Sequence, residues 1–191
     1  IDSLHLVASA QEARIDSLHL VASAQEARID SFVALGKSQF EANRKAKAIK
    51  ALKEAIKLDP DRIETHISVG QVYLEANYLG HATDAFKDAL ALNDASAAAQ
   101  TGIARIHYQK ASGGIMSMYH ARKAVSAARR ATKLNPEYAP AYLLLGDAYI
   151  RLNENYTGAS RAFASALEFE PDNAKTAYLL GTTYIELRRN A

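Results

Sequence analysis

The sequence predicts an all-α fold: a solenoid of stacked antiparallel helix pairs preceded by a helical leader. Three observations carry that expectation. Similar segments recur, "AIKLDPDR" at Pro60, "ATKLNPEY" at Pro136 and "ALEFEPDN" at Pro171, with "ALALNDAS" setting Asp94 where proline would stand. Ahead of these markers lies an apolar residue followed by a small one, at Leu35-Gly36, Val69-Gly70, Ile103-Ala104, Leu145-Gly146 and Leu180-Gly181; three positions after each small residue come Gln39, Tyr73, His107, Tyr149 and Tyr184. A second set of small residues follows, Ala48 and Ala55, Ala82 and Ala89, Ala124 and Ala131, Ala159 and Ala166.

The first element is the leader. Residues 1–14, "IDSLHLVASAQEAR", return unchanged as 15–28, and "IDSF" begins a third copy before the sequence diverges. The leader aligns with the next helix: Leu4 parallels Phe32, Val7 Leu35, Ala8 Gly36 and Gln11 Gln39. Two heptads per copy would keep Ile1, Leu4, Ala8, Ile15, Leu18 and Ala22 on one seam. With no Gly or Pro between the copies, helix is expected throughout. It would form either one rod of about 42 Å at 1.5 Å per residue, or two helices broken near Ile15-Asp16-Ser17, where Asp or Ser could cap. Such a seam suits a cap on the array or a handle for self-association; a duplication without function is the alternative.

Each following unit reads as two helices. Apolar residues at i, i+3, i+4 and i+7 make an amphipathic helix, and Gly or Ala at a fixed place admits a close neighbour. "ISVGQVYLEA" would be the first helix of one pair and "ATDAFKDALAL" the second, with Asn77 to Gly80 as the turn. Asp/Asn-Pro then ends the second helix, since proline lacks an N–H and restricts its predecessor. One pair cannot bury its apolar face, so pairs stack. The units fall at 29–62, 63–96, 97–138, 139–173 and, in part, 174–191.

A repeat of about 34 residues with these small, aromatic and proline positions resembles the tetratricopeptide repeat. The resemblance implies a right-handed superhelix whose first helices line a concave groove for a peptide or a partner's helix. Carried onto this chain, that groove would include Lys37 and Phe40, Gln71 and Leu74, Arg105 and Tyr108, Asp147, Ile150 and Arg151, and Tyr178. Flanking members would be Val33, Glu41, Ile67, Glu75, Thr101, Gln109, Leu143, Thr182 and Ile185. Apolar side chains alternating with charges suit an amphipathic helix or extended peptide whose charges fix register. The Lys/Asn clamp that some family members use on chaperone tails is missing, because Val33, Lys37, Ile67 and Gln71 occupy its places.

The third unit departs most, with Asp94 for Pro, His107 for Tyr and about eight extra residues. After Gly113-Gly114, which permit a sharp turn, Ile115, Met118 and Tyr119 stand at i, i+3, i+4 on a lengthened second helix. Together with Met116 they form an adaptable apolar second surface. The competing expectation is that they pack on the end of the first helix. Basic runs at Lys50, Lys53 and Lys57, and at Arg122, Arg129, Arg130 and Lys133, raise RNA binding as an alternative function. They lie on second helices with no Phe or Tyr among them, so a solvated face is the expectation and nucleic acid the weaker partner.

Composition narrows the function classes. The chain has 191 residues, 49% hydrophobic and 23% charged, with a formal charge of +2, a balance that gives no general attraction to nucleic acid or anionic lipid. Lacking cysteine, it offers no disulfide or thiolate chemistry. No apolar run reaches the roughly 18 residues of a membrane span. Without an initiating Met or a signal-like segment it reads as a soluble processed form, leaving bacterial cytoplasm and periplasm both open. The histidines His5, His19, His66, His81, His107 and His120 fit no metal-ligand spacing, and no nucleophile elbow or phosphate loop is present. Asn155 begins a formal glycosylation triplet. The expected protein is therefore a non-catalytic interaction scaffold without cofactor or metal. The further alternative is an assembly protein that associates through its leader or its open C-terminal end.

Overall fold

The computed structural model describes residues 2–152 and 155–190, with side chains from Gln11 onward except 12 and 13. Among the described residues nine helices and no strand occur: α1 (Asp2–Glu41), α2 (Lys45–Leu58), α3 (Ile63–Glu75), α4 (Leu79–Leu92), α5 (Ala97–Lys110), α6 (Ser117–Leu134), α7 (Ala139–Arg151), α8 (Tyr156–Phe169) and α9 (Ala174–Arg189). None is long and apolar enough to cross a membrane. The chain is an all-α, right-handed solenoid of antiparallel pairs, α1 with α2, α3 with α4, α5 with α6 and α7 with α8. Odd helices also touch across units, α1 with α3, α3 with α5 and α5 with α7, so they line the inner side of the curve.

The pairs close on a size-matched contact. Leu52 of α2 fills the space at Gly36, where an added Cβ would lie 2.5 Å from it. The Phe86 ring of α4, 1% exposed, sits against Gly70 of α3, where a Cβ would meet it at 2.8 Å, and presses still closer on Gly102 of the next unit. Phe163 of α8 does the same at Gly146. In the third unit Ala104 and Ala128 hold the corresponding places, and both are fully buried in one core cluster. A large-on-glycine pair is thus exchanged for a small-on-small pair, and both alanines are fully covered by their neighbours.

The turns follow local chemistry. Asn43 and Asn77 take left-handed backbone, with φ 56 and 61, at the ends of α1 and α3. Arg44 N–H then donates to Gln39 C=O and Tyr78 N–H to Tyr73 C=O, closing the helix in the manner of a Schellman motif. The second turn occupies 76–78 only; Gly80, expected in it, already lies within α4. Between units, the side-chain oxygens of Asp59, Asn93 and Asn135 accept from the backbone N–H two residues on. This Asx turn explains why Asp94 can replace proline: the residue before it supplies the turn.

Insertion in the third unit is shared among its elements. The α5–α6 connection takes residues 111–116, with Gly113 and Gly114 at φ 150 and 84, and α6 runs 18 residues against 14 in α4. Ile115 therefore lies in the turn, ahead of α6, which corrects its expected place on that helix. The sequence also suggests one extra residue in the fourth unit near "LNENY", a stretch that includes residues 153 and 154, outside the described residues.

At the other end α1 is unbroken from Asp2 to Glu41, with no interruption near Ile15-Asp16-Ser17. Its 40 residues span about 60 Å, because the leader runs on into the first unit's helix. Ile29, 4% exposed, is the first buried side chain described, and Gln25 Nε2 donates to Leu58 C=O at 3.1 Å where the helix leaves the array. The seam members Ile1, Leu4 and Ala8 fall outside the described side chains.

Filling the notch at Gly102 with a methyl should force the Phe86 ring aside. We expect Gly102→Ala to destabilise by about 1–3 kcal/mol. Gly181→Ala, on α9 with nothing within 4 Å, should stabilise by about 0.5–1 kcal/mol. Denaturant melts of the two variants check the contrast, and an equal effect would remove the packing explanation.

Candidate functional site

The inner face carries two adjoining recesses. Phe40 of α1, Gln71, Leu74 and Glu75 of α3, Thr101 and Arg105 of α5, and Tyr138 and Pro140 at the start of α7 surround a cavity of about 450 Å³. Beside it, Leu74 and Glu75 with Tyr108, Gln109 and Arg151 line a second of about 370 Å³. Leu74 is buried and forms floor common to both. The amphipathic spacing of the first helices puts these residues on one side, and contact between successive odd helices brings them together.

Several expected groove residues converge there. Phe40, Gln71, Leu74 and Arg105 share the first recess, and Tyr108 and Arg151 the second. Lys37 and Tyr178 are exposed and Ile150 is half-buried, but none of the three lines either recess. Arg151 is held in place: its guanidinium lies 4.2 Å from the Tyr108 ring centroid, and Nη2 donates to the Tyr108 hydroxyl at 3.1 Å. A cation over an aromatic face contributes roughly 0.5–2 kcal/mol, and the fixed geometry gives the recess a rigid positive wall.

Asp147 is half-buried. Burial raises its carboxyl above the ordinary value, while Lys175, Arg105 and Arg151 pull it down. Cations on α9, α5 and α7 thus act together on one carboxylate that remains incompletely solvated. Tyr138 is likewise raised by burial and by Glu170, with Arg105 opposing. Arg105 therefore links the recess to both groups. Tyr138, Pro140 and Lys175 escaped the sequence reading; the only signal was their place beside the inter-unit turns, at "NPEYAP" and "PDNAK".

On the third unit the second surface is open. Ile115 is 101% exposed, and Met116, Met118 and Tyr119 are exposed beside it rather than packed on α5. Close by, His107 Nδ1 lies 3.2 Å from His120 Nδ1, with the rings stacked at 5.5 Å. One ring must donate and the other accept, so at least one is neutral. Burial lowers His107 below the usual imidazole value, and His120, Lys110 and Lys123 add to the effect. Among the described residues no group of three His, Asp or Glu could hold a metal. His66 packs as expected, its Nε2 2.7 Å from Pro60 C=O. Asn155 caps α8, its side-chain oxygen accepting from Gly158 N–H.

The basic runs are not without aromatics. Lys53 lies 5.9 Å from the Tyr73 ring centroid and Arg129 5.4 Å from that of Tyr149, each ring delivered by a first helix of the following unit. This corrects the expectation of runs lacking aromatic company.

Comparison with known proteins places this geometry. Models described as tetratricopeptide repeat match residues 30–62 and 120–174. TTC0263, a thermophilic TPR protein of Thermus thermophilus, is similar in structure with TM-score 0.73 and 20% identity, over 83% of this chain and 82% of that one. The pilF protein of Pseudomonas aeruginosa gives 0.72 and 17%, over 87% and 72%. MamA gives 0.60 and 24%, over 80% and 84%. At these identities the likeness concerns the fold. No curated protein sequence matches the chain.

The depressed His107 sets a direction with pH. An unfolded chain takes up this proton near 6.5 and the folded chain only at lower pH, so stability is lost as pH falls below 6.5. We expect the melting midpoint to drop between about pH 7 and about pH 5, and the drop to shrink in His107→Tyr. An unchanged slope in that variant would assign the dependence elsewhere.

Proposed function

Because this chain belongs to the tetratricopeptide-repeat family, whose arrays serve in general as protein-interaction scaffolds, we propose that its concave side binds a peptide or helix of a protein partner. The observation that carries this reading is the first recess, in which residues from four successive first helices meet around about 450 Å³. Phe40 and Leu74 offer apolar area, while Gln71, Glu75 and Arg105 offer hydrogen bonds and both signs of charge. Such a mixture favours an amphipathic segment held in one register. Catalysis forms no part of the reading: binding and positioning are what these residues supply.

Asp147 adds a specific element. A carboxylate kept partly from water gains from any cation brought to it, so a Lys or Arg on the ligand would relieve the cost of its burial. Arg105 and Arg151 would take carboxylates of the ligand on either side.

Self-association through the leader is a second reading, supported by a separate observation. Ile15, Leu18 and Val21 are 52, 64 and 64% exposed. At 100° per residue, Ile15, Leu18 and Ala22 continue the side of α1 that turns Ile29 and Gly36 onto the array. The leader thus repeats a helix-accepting surface without a helix on it. Tyr178, Tyr184 and Ile185 leave α9 similarly open.

Two measurements test these readings. In affinity capture from a lysate of the encoding organism, a partner held by the parent chain should be lost by Lys37→Glu/Gln71→Glu, substitutions at exposed positions. Identical captures would remove the groove from the mechanism. In sedimentation across a concentration series, the parent's mass should rise with concentration while Ile15→Glu/Leu18→Glu stays monomeric. Monomers in both, or association in both, would exclude the leader.

A further inference from the structure

We propose that the outer side of the third and fourth units holds a second binding site, a cleft for a carboxylate-rich segment of a protein partner. Arg122, Arg129, Arg130 and Lys133 of α6 line one wall, and Tyr149 and Asn155 stand on the other. The cleft encloses about 650 Å³, and among the described residues no Asp or Glu lines it. It is separate from the concave recesses and does not depend on them.

Charge segregation is the first argument. Helix α6 carries Arg122, Lys123, Arg129, Arg130 and Lys133 and no carboxylate, while the whole chain sums to only +2. The rest of the protein is therefore net acidic, and α6 differs from the other basic helix, α2, whose five lysines have Glu54 among them, in having no carboxylate at all. Arg129 and Lys133 are spaced i, i+4, an arrangement of like charges that weakens a helix by about 0.2–0.5 kcal/mol. Lys133, in the last turn, recovers part of this through the helix dipole. A surface that keeps such repulsion unneutralised is suited to an external anion.

Pairing is the second. The ion pairs among the described residues are Lys57 with Glu54, Arg62 with Asp30 and Arg189 with Glu186. Arg122, Arg130 and Lys133 are in none of them. Their cationic groups keep their donors for a ligand, and the walls of the cleft lower the dielectric around them relative to an open helix face.

Preorganisation is the third. Arg129 donates from Nε at 2.8 Å, and from Nη2, to the Tyr149 hydroxyl, and its guanidinium lies over the same ring. The side chain is thus fixed before any ligand arrives, with its remaining N–H groups free to bind a planar carboxylate. Binding then costs little further ordering at this residue.

The lining favours protein over nucleic acid. Single-stranded nucleic acid is held by stacking successive bases on several aromatic side chains, and among the described residues Tyr149 is the one aromatic side chain lining the cleft, its hydroxyl already bound by Arg129. The basic stripe from Arg122 to Lys133 extends about 16 Å at 1.5 Å per residue, which matches roughly five residues of extended peptide. Side chains on alternate peptide positions would meet successive cations.

Fluorescence anisotropy on the full chain tests the site, using a labelled polyglutamate octapeptide, its polyglutamine counterpart and an oligouridine dodecamer. The glutamate peptide should bind and weaken with added salt, and the glutamine peptide should not bind. Arg122→Gln/Arg130→Gln/Lys133→Gln should lower affinity about tenfold or more. Lys50→Gln/Lys53→Gln/Lys57→Gln, which removes the same charge from α2, should have little effect. All replaced groups are exposed, and circular dichroism verifies that both variants fold. Absence of glutamate binding, equal loss in the two variants, or tighter binding of the RNA through the same residues would each overturn the proposal.

Discussion

An aromatic ring or leucine seated in a glycine notch governs the spacing of this solenoid. Leu52 at Gly36, Phe86 at Gly70 and Phe163 at Gly146 let paired helices approach until side chain meets backbone. Phe86 also bears on Gly102 of the following unit, so the contact that closes one pair helps position the next. Dense packing leaves few alternatives, because a methyl in the notch displaces the ring and a smaller residue in its place opens a void. The third unit meets the demand for dense packing differently, with Ala104 and Ala128, both fully buried, where the other units pair glycine with a large side chain.

From this spacing follows the inner face. First helices touch the first helices of neighbouring units, so residues about a repeat length apart in the chain meet around one recess. The site is consequently a product of stacking, and no single unit contains it. Arg105 illustrates the point: it lines the recess, bears on Asp147 in the next unit, and acts on Tyr138 at the turn between them.

The unit pattern was legible because each repeat states it again. Helix pairing and the approximate places of the turns could be read from positions such as Gly70 and Pro60, whereas the Asx turns and the fit of Leu52, Phe86 and Phe163 on glycine became visible only in the packed units. Legibility failed where contacts depend on the relative placement of units. Tyr149 lies 20 residues beyond the arginine it binds, and Arg151 lies 43 beyond Tyr108. No short pattern marks those pairs. The third unit's insertion was visible as length, but its division between a glycine turn and a longer α6 depends on where the helix restarts, which placed Ile115 off the helix. The leader posed the reverse problem. Its period predicted helix correctly, yet the same residues, Ile15 and Leu18, fit equally with packing or exposure until their surroundings were known.

Exposure of the leader has a physical origin in the repeat itself. A first helix needs a second helix across its notch and a further pair behind it, and copying only the first helix supplies the surface without either. Ala22 stands where Gly36 would stand two heptads later, so the leader offers a shallower notch that would take a small side chain rather than a ring. At the other end Gly181 offers a full notch with nothing within 4 Å, flanked by exposed Tyr178 and Tyr184. The two surfaces differ in depth: Ala22 leaves room for a small side chain, whereas the space at Gly181 matches the kind of ring that Phe86 and Phe163 seat on Gly70 and Gly146.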